Sequence, residues 1–285
     1  MAKSAKSLVV KIGGHSSAGR KPSNQDAFAA KVPSGDELFY KGVTLAIADG
    51  VSSCEDSHIA SQTSVTSFIS DYYSTSNSWS VKHSASRVLT GLNAWISQQN
   101  NSRKQSDMLC TFSAVIIKSH TLSWFHVGDT RIYHWRQNKL DCLTQDHAYK
   151  ERSQTYLARA LGGSARIDVD YSDLNVKQGD LILLTSDGVH DSLTYKQIND
   201  LVSAYDGDPE FISQQLVEEA LTLGSQDNLT AVILEVKSLA EPSLEESHER
   251  LTALPIPPAL KVGQKIDDFK INKVIFSGTR SHMYQ

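Results

Sequence analysis

The sequence predicts an α/β (α+β) fold, a sandwich built from antiparallel sheets. Two observations carry this. Short apolar runs rich in β-branched and aromatic residues, bounded by Gly, Asp, Asn and Ser, read as strands and fill residues 1–50 and 108–190. The helical patterns come in consecutive pairs between those strand blocks, an order that suits antiparallel sheets rather than alternating βα units around a parallel one.

Taken in order, SLVVKI and VTLAIAD are the first apolar runs. Val65, Phe68, Ile69 and Tyr72, then Val88, Leu89, Leu92, Trp95 and Ile96, repeat at helical spacing and predict two amphipathic helices, with Glu55 and Asp56 suited to a first turn. A strand block follows in TFSAVIIK, LSWFHVGD, RIYHW and DLILLTSD. Thr194 and Gln197 form a capping box ahead of Ile198, Leu201 and Val202. In the next helix Asp208 caps, Pro209 takes the first position and Gly224 stops the turn. NLTAVILEV is the closing strand. Beyond Ser238 the glutamates and prolines of AEPSLEESHERLTALPIPPAL mark an extended linker, after which residues 262–285 resume a strand-like pattern.

Composition excludes several classes. A chain of 285 residues holds two domains, or one large domain and a tail. With 28 Lys and Arg against 32 Asp and Glu the net charge is −4, which argues against nucleic acid as a partner. A hydrophobic share of 40% and a charged share of 21% suit a chain with a full core. The longest apolar runs are strand-sized, so no membrane segment is expected. MAKSAKSLVVKIGG has too short an apolar run for a signal peptide, and the expected location is cytoplasmic. Cys54, Cys110 and Cys142 show no paired spacing and predict neither a disulfide framework nor a zinc site.

Four aspartates stand at the ends of apolar runs: Asp49 in LAIADG, Asp129 in WFHVGDTR, Asp187 in LILLTSDG and Asp227 in SQDNLTAVIL. Any one alone is well explained as a turn residue. If neighbouring strands end on the same side, however, the carboxylates converge, and such a concentration of charge needs cations. Oxygen-only ligands select Mg²⁺ or Mn²⁺, and a pair of such ions can activate water and clamp a phosphoryl oxygen, which points to phosphate-ester hydrolysis. Arg20 and Lys21, in the loop SSAGRKPSNQDAF, are candidate phosphate-binding cations; a solvated loop cation is the competing reading for each.

The ordered segments RKPSNQDAF, AIADGVSS, HVGDTRIY, TQDHAY, ARALGG, LLTSDGVHDSL and SQDNLTAVIL resemble the successive motifs of the metal-dependent protein phosphatases of the protein phosphatase 2C type, over residues 8–237. The resemblance implies a four-layer αββα sandwich of two antiparallel sheets flanked by paired helices. It also implies a bacterial serine/threonine phosphoprotein phosphatase using two Mn²⁺ or Mg²⁺ ions per site, with a third more loosely held, and a phosphorylated protein as substrate. Matched by motif, Asp49 bridges both metals, the Gly50 carbonyl binds the second, and Asp187 and Asp227 complete the first. Gln25 and Asp26 act through water on the metals, Asp129 joins Asp187 around the third, and Asn228 orders Asp227 or caps the strand. Residues 1–240 are then the catalytic domain and 241–261 an acidic, Pro-rich linker.

Departures from the family pattern are informative. The phosphate-binding arginine falls on Lys21, with Arg20 one place earlier; Arg20 is the better candidate because a guanidinium bonds phosphate through two N–H groups. DGVSS puts Val51 where the family often has a histidine or methionine. His58 and His190 read as surface or packing residues. The strand after the second helix carries Cys110-Thr111 in place of Gly-Thr. The short stretch between His147 and Ala160 implies a much reduced substrate-contacting flap. With Val51 and that short flap, a catalytically silent phosphatase-like domain that binds phosphoproteins or regulates an attached kinase is the alternative function.

Two further patterns were weighed. GHSSAGRK has the glycine spacing of a phosphate-binding loop, but Arg20 and Lys21 fill its lysine and hydroxyl positions, which rejects a nucleotide hydrolase. Residues 262–285 resemble the first two strands and glycine loop of a serine/threonine protein kinase, with Gly278 kept and Phe276 and Ser281 at the other glycine places. An attached kinase domain is the implied partner, and a strand-forming tail is the alternative.

Overall fold

The computed structural model describes residues 7–54, 56–102, 108–151, 154–240, 259–266, 269–278 and 282–285. The chain divides into two units, Met1–Glu241 and Pro242–Gln285. The first contains β1 (Val9–Ser17), β2 (Asp26–Lys31), α1 (Gly35–Lys41), β3 (Val43–Asp49), α2 (Ser57–Ser74), α3 (Val81–Ser102), β4 (Phe112–Lys118), β5 (Thr121–Val127) and β6 (Arg131–Arg136). It continues with β7 (Lys139–Cys142), β8 (Ala148–Glu151), β9 (Gln154–Leu157), β10 (Asp170–Asn175), β11 (Leu181–Thr185), α4 (Asp187–His190), α5 (Tyr195–Ser203), α6 (Pro209–Thr222) and β12 (Leu229–Ser238).

Two five-stranded sheets, β1-β12-β11-β6-β7 and β10-β5-β4-β3-β2, have antiparallel neighbours throughout. Successive strand side chains point to opposite faces, so a strand covered on both sides must be apolar along its whole length. Residues 45–48 of β3, 181–184 of β11 and 231–234 of β12 meet that requirement, and their alternate residues feed different interfaces. Leu45, Ile47, Val115, Ile117, Ile182, Leu184, Val232 and Leu234 pack together between the sheets. Ala46, Ala48, Phe112 and Ala114 turn the other way, onto Phe68, Tyr72, Leu89 and Ile96 of α2 and α3. Leu181, Leu183, Ala231 and Ile233 face Ile198, Val202, Leu216 and Val217 of α5 and α6. Three interfaces separate four layers, the αββα sandwich expected. Each fully buried Leu or Ile in them contributes about 1.5–3 kcal/mol.

The later helix starts follow the sequence. Thr194 and Gln197 close the capping box on α5, and Asp208 accepts from the Glu210 N–H ahead of Pro209 at the start of α6. Asp56 stands at the N-cap position of α2 rather than inside its first turn, and Glu55 lies outside the described residues. α1 and α4 are additions to the expected order; each has too few residues to display a period. The three cysteines are free. Among the described residues no helix is long and apolar enough to cross a membrane.

In the second unit β13 (Lys265–Ile266) pairs with β14 (Phe269–Lys270), and β15 (Val274–Ser277) with β16 (His282–Tyr284), both antiparallel. Residues 241–258 of the expected linker, and Ser281, lie outside the described residues.

Candidate functional site

Strand ends converge as the acidic pattern requires. β2 begins at Asp26 and β3 ends at Asp49, and the antiparallel register sets these two residues opposite each other. β11 ends one residue before Ser186 and Asp187, and its neighbour β12 starts just after Asp227 and Asn228. Asp129 follows β5 by one glycine. Asp49 feels the charges of Asp26, Asp187 and Asp129, while Asp187 feels that of Asp227.

The backbone around these residues is fixed by short contacts. Thr111 clamps Asp49 from both sides, donating its N–H to the Asp49 carbonyl at 2.8 Å and accepting the Asp49 N–H through Oγ1 at 3.0 Å. Gly128 has φ +106°, and a Cβ there would lie 2.5 Å from the Thr111 Cβ, so glycine alone lets the Asp129 loop approach. The Gly50 N–H donates to the Gln25 carbonyl at 3.1 Å, and the Ser61 hydroxyl donates to that same oxygen. Gln25 thus acts here through its main chain.

Asp26 is buried, and its Oδ2 accepts from the hydroxyls of Ser186 and Thr230, each at 2.7 Å. Its Oδ1, like Asp187 Oδ1, is buried with no hydrogen-bond partner. Burial pushes the Asp26 carboxyl up to about 6 despite the two hydroxyl donors. Burial, then the charges of Asp187 and Asp146, pushes Asp129 up to about 7. Asp49 is held well above the usual carboxylate range by burial and by Asp26 and Asp187, and Asp187 is raised by burial and Asp227. Unpaired buried carboxylate oxygens, and carboxyls raised by burial and by one another's charge, are the donor set a hard divalent cation fits. Among the described residues no three acidic, His or Cys side chains are already closed around one ion-sized centre.

The loop of Arg20 and Lys21 is held against this acidic end. Gly19 has φ +58°, and a Cβ there would lie 2.4 Å from the Asp227 carbonyl oxygen. Asn228, 1% exposed, staples the loop: its Oδ1 accepts from Gln25 N–H at 2.9 Å while Nδ2 donates to the Ala18 and Ser23 carbonyls at 3.0 and 2.9 Å. Lys21 Nζ forms an ion pair with Asp227 Oδ1 and donates to Ser52 Oγ. Arg20 is exposed. The preferred phosphate cation from the sequence thus points to solvent, and its neighbour holds the acidic cluster.

His58 is exposed, whereas His190 is buried, bonded through Nδ1 to Thr185 Oγ1 at 2.8 Å and pushed down to about 3 by burial. Among the described residues between His147 and Ala160, Ala148–Glu151 pairs with Gln154–Leu157 as one short hairpin, β8–β9. Sequence reasoning missed Ser186 and Thr230 as the donors to Asp26, and Thr111 as the Asp49 clamp. The available signal was a hydroxyl at the same end of each strand as an aspartate.

Comparison with known proteins gives one family: its sequence model, described as Protein phosphatase 2C, matches residues 13–222. The serine/threonine protein phosphatase PstP of Mycobacterium tuberculosis (strain CDC 1551 / Oshkosh) is 27% identical over 146 residues, covering 44% of this chain and 27% of its own. The chain therefore spans about a quarter of that relative's length. The protein phosphatase PhpP of Streptococcus pneumoniae serotype 2 is 24% identical over 208 residues, covering 66% of this chain and 83% of its own. Among solved structures, the catalytic domain of the serine/threonine protein phosphatase PstP in complex with 2 manganese ions superposes with a TM-score of 0.66 at 23% identity, covering 81% of this chain and all of that one.

Proposed function

Because the chain belongs to the protein phosphatase 2C family, we propose that it is a Mn²⁺- or Mg²⁺-dependent phosphatase that hydrolyses phosphoserine and phosphothreonine esters in proteins. The observation that carries this reading is the buried cluster of Asp26, Asp49 and Asp187, with unpaired oxygens and carboxyls raised by burial and mutual charge. The relatives named as serine/threonine phosphatases, and the manganese ions of the PstP structure, support it.

In this reading Asp49 would serve both of two ions, the Gly50 carbonyl would serve the second, and Asp187 and Asp227 the first. Gln25 and Asp26 would act through water, and Asp129 with Asp187 would serve a third ion. Two ions held there would supply an acidified water as nucleophile and positive charge for the phosphoryl oxygens. One of Arg20 and Lys21 supplies the cationic N–H groups for the phosphoryl oxygens: Lys21 stands beside Asp227, and Arg20 lies on the exposed side of the loop. Asn228 keeps that loop in register with the acidic strand ends. Ser186 and Thr230 fix Asp26 so that its other oxygen faces Asp49. The intended location is the cytoplasm.

The silent-domain alternative draws on one observation, the Lys21–Asp227 ion pair, because an ammonium group there competes for a carboxylate that the first ion needs. One assay separates the two readings: turnover of a phosphothreonine peptide and of an aryl phosphate with Mn²⁺, with Mg²⁺ and with chelator. Metal-dependent release of phosphate supports the enzyme, and its absence from folded, Mn²⁺-loaded protein supports the silent domain. We further read residues 262–285 as the start of a protein kinase domain joined through 241–261; the hairpins β13–β14 and β15–β16 support this, strand being the form the resemblance requires.

A further inference from the structure

The β8–β9 hairpin is suspended between His147, immediately before β8, and Arg159, two residues after β9. One carboxylate reaches both. Asp170, the first residue of β10, accepts from His147 Nε2 through Oδ2 at 3.0 Å and from Arg159 Nη1 through Oδ1 at 2.9 Å. His147 Nδ1 accepts the Gly128 N–H at 3.2 Å, and its Nε2 lies between Asp170 Oδ2 at 3.0 Å and Arg159 Nη1 at 3.2 Å. The two stems are also joined to each other, Ala158 N–H donating to the His147 carbonyl at 2.7 Å, and His147 N–H donates to the Gly128 carbonyl at 2.7 Å. The hairpin base is therefore attached directly to the residue before Asp129.

The anchor is bonded to its own sheet, whereas the ribbon is a lone pair of short strands. Asp170 is paired opposite His126 in the β10–β5 register, and His126 bonds Ser113 at 2.9 Å and the Gln145 carbonyl at 3.1 Å while its ring lies 4.8 Å from that of His147. The hairpin has only four residues in each strand, and an isolated two-stranded ribbon is marginal in water. Its cross-strand pair Tyr149 and Tyr156 is stacked at 5.6 Å between ring centres, and both rings are largely exposed. Exposed aromatic rings on a hairpin rooted next to Asp129 suit contact with the chain around a phosphorylated residue.

We propose that Asp170 is a positioning residue: it pins both ends of the β8–β9 hairpin and so sets the grip on the peptide part of a phosphoprotein, separately from the chemistry at phosphorus. This rests on the phosphatase activity proposed for the chain. A half-exposed Arg–Asp pair alone is worth little. Here one carboxylate bonds both stems, so its removal loosens both and leaves only the bonds of His147 to Gly128, Ala158 and Arg159 to hold the base.

Asp170→Ala is compared with wild type by trypsin cleavage at Lys150 and Arg152 and by kinetics on a phosphothreonine peptide and an aryl phosphate. Hairpin cleavage should accelerate about tenfold with little change in melting temperature. KM for the peptide should rise about fivefold, while kcat and KM for the aryl phosphate stay within about twofold. Asp170→Asn, which keeps an acceptor for one stem, should fall between. Unchanged cleavage in folded Asp170→Ala overturns the proposal, as do equal losses on both substrates, the pattern of a general structural role. If Asp170→Ala does not fold, Arg159→Gln releases one stem and is judged by the same readouts. Were wild type to hydrolyse neither substrate, the phosphatase reading would fail, and hairpin cleavage with fluorescence-measured affinity for the phosphopeptide would still judge the pin.

Discussion

Asp26→Asn should stabilise the metal-free protein at neutral pH. In the wild type the folded Asp26 carboxyl sits at about 6 against 3.8 for the unconstrained group, because burial penalises its charge. At ~1.36 kcal/mol per pKa unit, keeping it ionised in the folded state costs about 3 kcal/mol. The sign is that of a raised carboxyl. The folded protein keeps the proton that the unfolded chain has already released, so the stabilisation is fully present below pH 3.8 and is lost as pH rises through about 6. Asparagine avoids that loss. Its Oδ1 can accept from Ser186 and Thr230, and its uncharged Nδ2 takes the place of the unpaired Oδ1. In chelator the variant should melt close to wild type near pH 4 and about 6–12 °C above it at pH 7.5, from ~2–4 °C per kcal/mol for a unit of this size. Saturating Mn²⁺ should narrow the difference by stabilising the wild type. Thermal melts across that pH range decide it. A variant that melts below apo wild type at pH 7.5, or a difference that does not vary with pH, would refute the reasoning.

Asp49→Ala and Asp187→Ala should each lower peptide turnover by about 100-fold or more, whereas Asp129→Ala should mainly raise the Mn²⁺ concentration needed; equal, small losses in all three, read from Mn²⁺-dependent initial rates, would return them to turn residues. Asn228→Ala removes the three bonds that hold the Arg20–Lys21 loop and should raise KM for a phosphopeptide about tenfold with a smaller change in kcat. Steady-state kinetics check this, and an unchanged KM would detach the loop from substrate binding. Deleting residues 241–285 should shift the melting temperature of the first unit by less than about 2 °C, because the three apolar interfaces come almost wholly from residues before it.

The sandwich was legible because its signal is local. β3, β11 and β12 are apolar on both faces, and the paired helices repeat at helical spacing, so each declares itself within ten residues or so. α1 was illegible for the opposite reason: GDELFYK is two turns long and its period cannot be distinguished from chance. The acidic strand ends were also visible, since aspartate at the end of an apolar run is a one-dimensional feature. Which carboxylates face one another was not. That depends on the β2–β3 register, which sets Asp26 opposite Asp49, and on the placing of Ser186 and Thr230 around Asp26 from a different sheet. The roles of Arg20 and Lys21 turned on a loop conformation. Chemistry favours the guanidinium for phosphate, but Gly19 and the Asn228 staple turn Lys21 toward Asp227 and leave Arg20 exposed. Contacts between residues about two hundred positions apart leave no pattern in a single sequence.

The central claim is that the carboxylates of Asp49, Asp187 and Asp227 hold the ions on which phosphate-ester hydrolysis depends. Calorimetric titration of Mn²⁺ into metal-free wild type and Asp49→Asn, with turnover of a phosphothreonine peptide measured on the same samples, tests it most directly. The account predicts at least two Mn²⁺ per wild-type chain, turnover that appears as those sites fill, and loss of both in folded Asp49→Asn. Wild-type turnover that persists in chelator, or Mn²⁺ binding that survives unchanged in Asp49→Asn, would contradict it.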